Sequence, residues 1–170
     1  WPTRDGQPPR SGPDNRSNVD FERPIGGGPT TRGFDTYFGT DVPNYPPYCF
    51  IENDRTLGLP DLATSTEFET PGPKLAGWKQ SEILPEITRR AVRYVEEAAG
   101  RGRPFFLYFS LTSPHHPVLP TQEFRGRSQA GDYGDFVVQT DWVVGQVRAA
   151  LDRAGVARDT LLIFTSDNGP

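Results

Sequence analysis

Phe105-Phe106-Leu107-Tyr108-Phe109-Ser110-Leu111 runs directly into Thr112-Ser113-Pro114-His115-His116-Pro117-Val118-Leu119-Pro120. The first part is rich in aromatic and other strand-favouring residues and reads as a β-strand. The second is a stiff loop, because its prolines fix several φ angles. An amphipathic segment follows from about Asp132 to Ala154. A second apolar run, Leu161-Leu162-Ile163-Phe164-Thr165, then closes on Ser166-Asp167-Asn168-Gly169-Pro170. Strand, helix, strand in this order predicts a right-handed βαβ crossover with parallel strands. Both runs are continuously apolar, as expected of central strands covered by helices on both faces. The fold class is therefore α/β in layers.

In open parallel sheets, ligands lie beyond the carboxyl ends of the strands. The chain's only histidines, His115 and His116, follow one such end, and Asp167 with Asn168 follows the other. Adjacent extended residues point opposite ways, so one histidine is expected to face the crevice. Its imidazole could protonate a leaving oxygen or bind an anionic group. Two solvated histidines on a surface loop are the bland alternative. Asp167 and Asn168 supply two hard oxygen ligands suited to Ca²⁺ or Mg²⁺, if the turn at Gly169-Pro170 lets them converge. Alone, Asp-Asn-Gly is more often an Asx turn, and two ligands fall short of the roughly six that calcium takes.

Upstream of the first run, Ile83, Leu84, Ile87, Ala91, Tyr94, Val95 and Ala98 recur at helical spacing. Ser81 is positioned to cap that helix, Pro85 falls in its first turn, and Gly100 with Gly102 ends it. The later helix carries Phe136, Thr140, Val143, Val144, Val147, Ala150 and Leu151 on one stripe, with Gly155 after its last turn.

Glycine and proline are concentrated in residues 1–79, which read as an irregular region, whereas 80–170 has the order helix, strand, loop, helix, strand. Within the first part, Phe34, Tyr37 and Phe38 are expected to anchor the arm to the core, and Tyr48-Cys49-Phe50-Ile51 reads as a short strand. Gly26-Gly27-Gly28-Pro29 has no preceding strand and no following Gly-Lys-Ser/Thr, so it is a turn and not a phosphate loop.

A chain of 170 residues can bury a real core. Its net charge of −4 gives no electrostatic case for nucleic acid or an anionic membrane. No apolar run approaches the roughly 20 residues that span a bilayer. Trp1 opens no signal-peptide pattern, and the absence of any Met suggests a segment of something longer. Cys49 is the single cysteine and has no base nearby in sequence; it reads as a small core residue. Asn15-Arg16-Ser17 fits a glycosylation acceptor, a pattern common by chance.

The residues also carry a resemblance. Arg103-Pro104-Phe105-Phe106-Leu107-Tyr108-Phe109-Ser110-Leu111-Thr112-Ser113-Pro114-His115-His116-Pro117 and Asp159-Thr160-Leu161-Leu162-Ile163-Phe164-Thr165-Ser166-Asp167-Asn168-Gly169-Pro170 resemble the sulfatases. Gly33-Phe34-Asp35-Thr36-Tyr37-Phe38-Gly39 is similar to the segment that family carries shortly after its Gly-Lys-Trp-His-Leu-Gly motif. Pro46-Pro47-Tyr48-Cys49-Phe50-Ile51-Glu52-Asn53-Asp54-Arg55 resembles a stretch of some bacterial members. The likeness covers most of the chain from Gly33 onward, in the family's order.

That resemblance implies part of an alkaline-phosphatase-like layered fold, a mostly parallel sheet between helices. It implies a calcium-dependent sulfuric ester hydrolase, arylsulfatase-like, acting on small-molecule or carbohydrate sulfate esters. By position, Asp167 and Asn168 match two Ca²⁺ ligands, and His115 matches the histidine near the leaving-group oxygen. His116 falls where the family varies. The family's nucleophile is a hydrated formylglycine made within Cys/Ser-x-Pro-x-Arg, which attacks sulfur. Ser11-Gly12-Pro13-Asp14-Asn15-Arg16 puts its Arg one residue too far, so the nucleophile is expected outside these residues. The paired upstream aspartates, the Lys-Trp-His motif and a later lysine are also absent. The expectation is an internal slice of a sulfatase catalytic domain, inactive alone, with a periplasmic or secreted parent. A phosphatase or phosphodiesterase of the same superfamily, or a non-catalytic paralogue, are the alternatives; the upstream sequence would separate them.

Overall fold

A computed structural model describes residues 1–10, 17–42, 45–64 and 70–169. The 11–16 near-match to the nucleophile motif, Asn15 and Arg16 of the glycosylation acceptor, and Pro170 lie outside the described residues.

Two helices dominate. Helix α1 spans Ile83–Gly100 and buries Ile83, Leu84, Ile87, Thr88, Ala91, Val95 and Ala98, which is the stripe read from the sequence with Thr88 added and Tyr94 only half-buried. Thr88 is tolerated there because its hydroxyl donates back to the Leu84 carbonyl at 2.6 Å. Ser81 does not cap α1: a 3₁₀ turn over Gln80–Glu82 leads in, and no side chain caps the start. Pro85 sits in the first turn, where its missing N–H has no intrahelical partner to lose. Gly102 follows the end at φ 63°, a conformation that suits glycine.

Helix α2 spans Gly131–Arg153 and packs against α1. Ala91, Val95, Val147, Ala150 and Leu151 fill one end of the interface; Tyr48, Trp78, Ile83, Leu84, Ile87, Phe136 and Val143 fill the other. The buried face of α2 also contains Asp135, Gln139 and Thr140. Asp135 and Gln139 lie off the stripe expected from the sequence.

The paired strands are short. Strands β1 (Phe38–Gly39), β2 (Ile51–Glu52) and β3 (Arg55–Thr56) form an antiparallel sheet, and β4 (Leu62–Thr64) pairs with β5 (Gly72–Lys74) antiparallel. The strand expected over 48–51 is confined to Ile51–Glu52; Tyr48 makes an isolated parallel bridge to Lys74 instead. Of the three residues expected to anchor the arm, Phe38 does so, whereas Phe34 is 37% exposed and meets Phe106 at 6.1 Å. Phe38 stacks on Phe50 at 5.1 Å, Phe50 meets Trp78 edge-on at 4.9 Å, and the Arg90 guanidinium from α1 lies 4.2 Å above Phe38.

The two apolar runs differ from expectation in pairing and in cover. Neither 105–111 nor 161–165 forms a ladder among the described residues, so the parallel pairing expected of them is not seen. Strand structure needs a hydrogen-bonding neighbour, and no described segment supplies one. Cover is one-sided over 105–111. Phe105, Leu107 and Phe109 pack toward the helices, whereas Phe106 and Tyr108 are 72% and 71% exposed. That alternation is the period of a half-buried strand rather than of a centrally covered one. Leu161, Ile163 and Phe164 are exposed as well. No helix among the described residues is long and apolar enough to cross a membrane.

Candidate functional site

The first apolar run delivers the chain to a turn at Ser113-Pro114 and a bend over 115–117. Both histidines are exposed on this loop. They line one small cavity of about 20 Å³ together with Gln80, Ile83, Thr112, Pro117, Leu119 and Phe136. The expectation that only one histidine faces the crevice fails because 115–117 bends, so alternation along an extended strand does not apply. The Ser113-Pro114 and His116-Pro117 peptide bonds are cis.

Nδ1 of His115 lies 2.7 Å from the carbonyl oxygen of His116. A carbonyl only accepts, so Nδ1 carries the hydrogen and donates it. In that tautomer Nε2 is the ring's acceptor nitrogen.

Helix α2 holds the loop from below at three places. Gln139 Oε1 accepts the Thr121 N–H at 2.9 Å, and Thr140 Oγ1 lies 2.7 Å from Ser113 Oγ. One turn earlier, Asp135 accepts the N–H groups of Gly126 and Ser128 at 2.6 and 2.7 Å. Those backbone donors, Ser128 foremost, hold the Asp135 carboxyl below the usual carboxylate range. None of these three residues was singled out as functional from the sequence. The signal was faint: polar residues at i, i+4 and i+5 within an otherwise apolar helix face.

Asp167 and Asn168 sit in an exposed bend after the second run and are not among the walls of the histidine cavity. Asp167 Oδ1 accepts the N–H of the next residue, Asn168, at 3.0 Å, a contact one residue shorter than that of an Asx turn. Asn168 Nδ2 donates to the Gly169 carbonyl at 2.7 Å, and Ser166 Oγ donates to the Asn168 carbonyl. With its amide nitrogen engaged, Asn168 offers Oδ1, and Asp167 offers Oδ2. These hard oxygens fit Ca²⁺ in kind and fall short of its usual six to eight ligands in number. Among the described residues, no group of three or more His, Cys, Asp or Glu side chains is placed to hold a metal.

Cys49 is fully buried, and burial, with the Asp41 charge adding, pushes its thiol up to about 12. It is not a nucleophile.

A family model described as Sulfatase matches residues 11–170. The chain is 32% identical over 158 residues to an N-acetylgalactosamine-6-O-sulfatase of Bacteroides thetaiotaomicron, covering 93% of this chain and 29% of that protein. It is 31% identical over 144 residues to the N-acetylgalactosamine-6-sulfatase of Mus musculus, covering 83% and 27%. A steryl-sulfatase of Mus musculus matches at 48% identity over 82 residues, 45% of this chain and 13% of that one. A solved chain described under the metabolism of multiple glycosaminoglycans by Bacteroides thetaiotaomicron superposes with a TM-score of 0.76 at 26% identity. It covers 89% of this chain and 39% of its own. The chain thus spans well under half the length of these relatives.

Proposed function

Because the chain belongs to the sulfatase family, and so carries an α/β alkaline-phosphatase-like fold, we propose that it forms part of the catalytic domain of a calcium-dependent sulfuric ester hydrolase. Residues 1–79 are the Pro/Gly-rich portion of that part, with its short antiparallel strands, and 80–170 carry the helices α1 and α2 and the functional loops. The substrate is a sulfate ester of a carbohydrate or small molecule, and the nucleophile, a formylglycine, lies outside these residues. The 170 residues alone release no sulfate.

The observation that carries this reading is the bond from His115 Nδ1–H to the His116 carbonyl. That bond supports a ring orientation in which Nε2 is the nitrogen that hands over a proton, and His115 lines the small cavity. When the ester bond breaks, the departing alcohol oxygen develops negative charge, and His115 gives it that proton from Nε2. The His116 carbonyl stabilises the charged imidazole before transfer and keeps the ring oriented after it. Asp167 Oδ2 and Asn168 Oδ1 would hold Ca²⁺ as two members of a larger shell. When bound, the cation offsets the charge of the sulfate group.

The test uses the full-length protein and sulfate release from a sulfated sugar and an aryl sulfate. His115→Ala is expected to lower turnover by about 10²–10⁴-fold, the usual worth of a positioned general acid. Asp167→Ala is expected to weaken Ca²⁺ binding by at least about tenfold in a calorimetric titration. Unchanged turnover in His115→Ala removes that residue from the reaction, and unchanged calcium affinity removes Asp167 from the shell.

A further inference from the structure

Thr140 sits in the middle of α2 and is buried, and Ser113 opposite it is buried as well. The Thr140 hydroxyl has two neighbours, Ser113 Oγ at 2.7 Å and the Phe136 carbonyl at 2.8 Å. It has one hydrogen to give. The carbonyl can only accept, so Thr140 donates there and Ser113 donates to Thr140. A directed chain therefore runs from Ser113 to Thr140 to the helix backbone. The next residue back, Gln139, accepts the N–H of Thr121. Consecutive helix residues thus grip both ends of the segment 113–121, and His115 lies inside it.

A helix built only to pack does not need this arrangement. Of the other buried positions on this face, Phe136, Val143, Val147, Ala150 and Leu151 are apolar, and the polar ones, Asp135 and Gln139, each hold backbone N–H groups beyond the helix; threonine is a poor helix former whose i−4 back-bond adds little stability. A valine at 140 would continue the stripe. The hydroxyl occurs at the helix position that faces the residue before Pro114.

Resting on the assignment of His115 as the proton donor, we infer that Thr140 is a positioning residue, which sets the placement of His115 through Ser113. It touches no substrate. Its effect is on how closely Nε2 approaches the departing oxygen, and a displacement near 1 Å there costs about 10²-fold in rate.

The experiment compares four full-length proteins: wild type, Thr140→Val, His115→Ala and the double variant. Thr140→Val is expected to lower kcat by about 10–100-fold with KM changed less than about threefold, and Thr140→Ser to restore kcat to within about threefold. On the His115→Ala background the valine change is expected to cost less than about twofold, because the group it places is gone. Wild-type kcat in Thr140→Val, or an equal loss on both backgrounds, overturns the proposal; the second outcome marks a merely structural role. If Thr140→Val does not fold, Ser113→Ala removes the same bond from the loop side and is held to the same two outcomes. Undiminished turnover in His115→Ala defeats the assignment of the acid itself, and the positioning role falls with it. That failure is told apart from the others because it appears without any change at 140.

Discussion

The carbonyl oxygen of His116 receives the Nδ1–H of His115 at 2.7 Å, so the second histidine of the pair acts through its backbone. A side-chain change at 116 leaves that oxygen in place. His116→Ala in the full-length protein is therefore expected to keep sulfate-release activity within about threefold of wild type. His115→Ala is expected to lose about 10²–10⁴-fold. Comparable losses for both would mean that the His116 ring also takes part, and the division of roles would be wrong.

Asp135 makes a second prediction, one about acid. Its folded-state pKa is lowered, chiefly by the Ser128 and Gly126 N–H groups, so between pH 5 and pH 3 the unfolded chain binds more protons than the native one. The stabilisation is complete above the unfolded carboxylate value near 4 and is lost as pH falls through the lower folded value. Asp135→Asn keeps the shape but turns an N–H toward one of two N–H donors. The variant is expected to have a lower Tm at pH 7. The gap to wild type should narrow as pH falls below the unfolded carboxylate value near 4. Parallel curves over that range would show that the carboxylate charge contributes nothing.

Much of this molecule was legible in its sequence, and the residues that were not share a cause. The stripes of α1 and α2 were visible because apolar spacing reports directly which helix face is buried. The aromatic anchor through Phe38, Phe50 and Trp78 was foreseen in part, since such residues need cover. The pairing of 105–111 and 161–165 could not follow from the runs themselves, because a ladder depends on a neighbour rather than on the strand's own residues. Phe106, Tyr108 and Ile163 show the result: strand-like sequence with one face open. Asp135 and Gln139 were missed because polar residues are assigned to the solvent face by default. Here each is buried with its side-chain oxygen accepting backbone N–H groups from residues 121–128, while Nε2 of Gln139 is buried without a hydrogen-bond partner. His115 was proposed from its loop and Asp167 from its turn, whereas the contact of Nδ1 and the hold on Ser113 needed coordinates.

Cys49 yields a third expectation. The thiol is fully buried and its pKa is raised to about 12, so at pH 8 only about one molecule in 10⁴ carries a thiolate there. An ordinary cysteine, near 8.5, is about one-quarter ionised at that pH. Labelling by a disulfide reagent is expected to be more than about 100-fold slower in the native protein than in urea. Rapid stoichiometric labelling without denaturant would place Cys49 at the surface and contradict the packing around Tyr48 and Ile51.

Leu84 offers the most direct check on what carries the site. Its side chain is 2% exposed and joins Ile83, Ile87, Tyr48, Trp78, Phe136 and Val143 in one cluster. Phe136 and Ile83 of that cluster also form walls of the histidine cavity. Truncating a buried leucine removes its transfer energy and leaves a cavity that packed neighbours fill only partly, so Leu84→Ala is expected to cost about 2–5 kcal/mol in urea unfolding. Val137 lies on the open side of α2, 42% exposed, and Val137→Ala is expected to stay within about 0.5 kcal/mol. A similar cost at both positions would mean that the α1–α2 face is not the core on which the histidine loop rests.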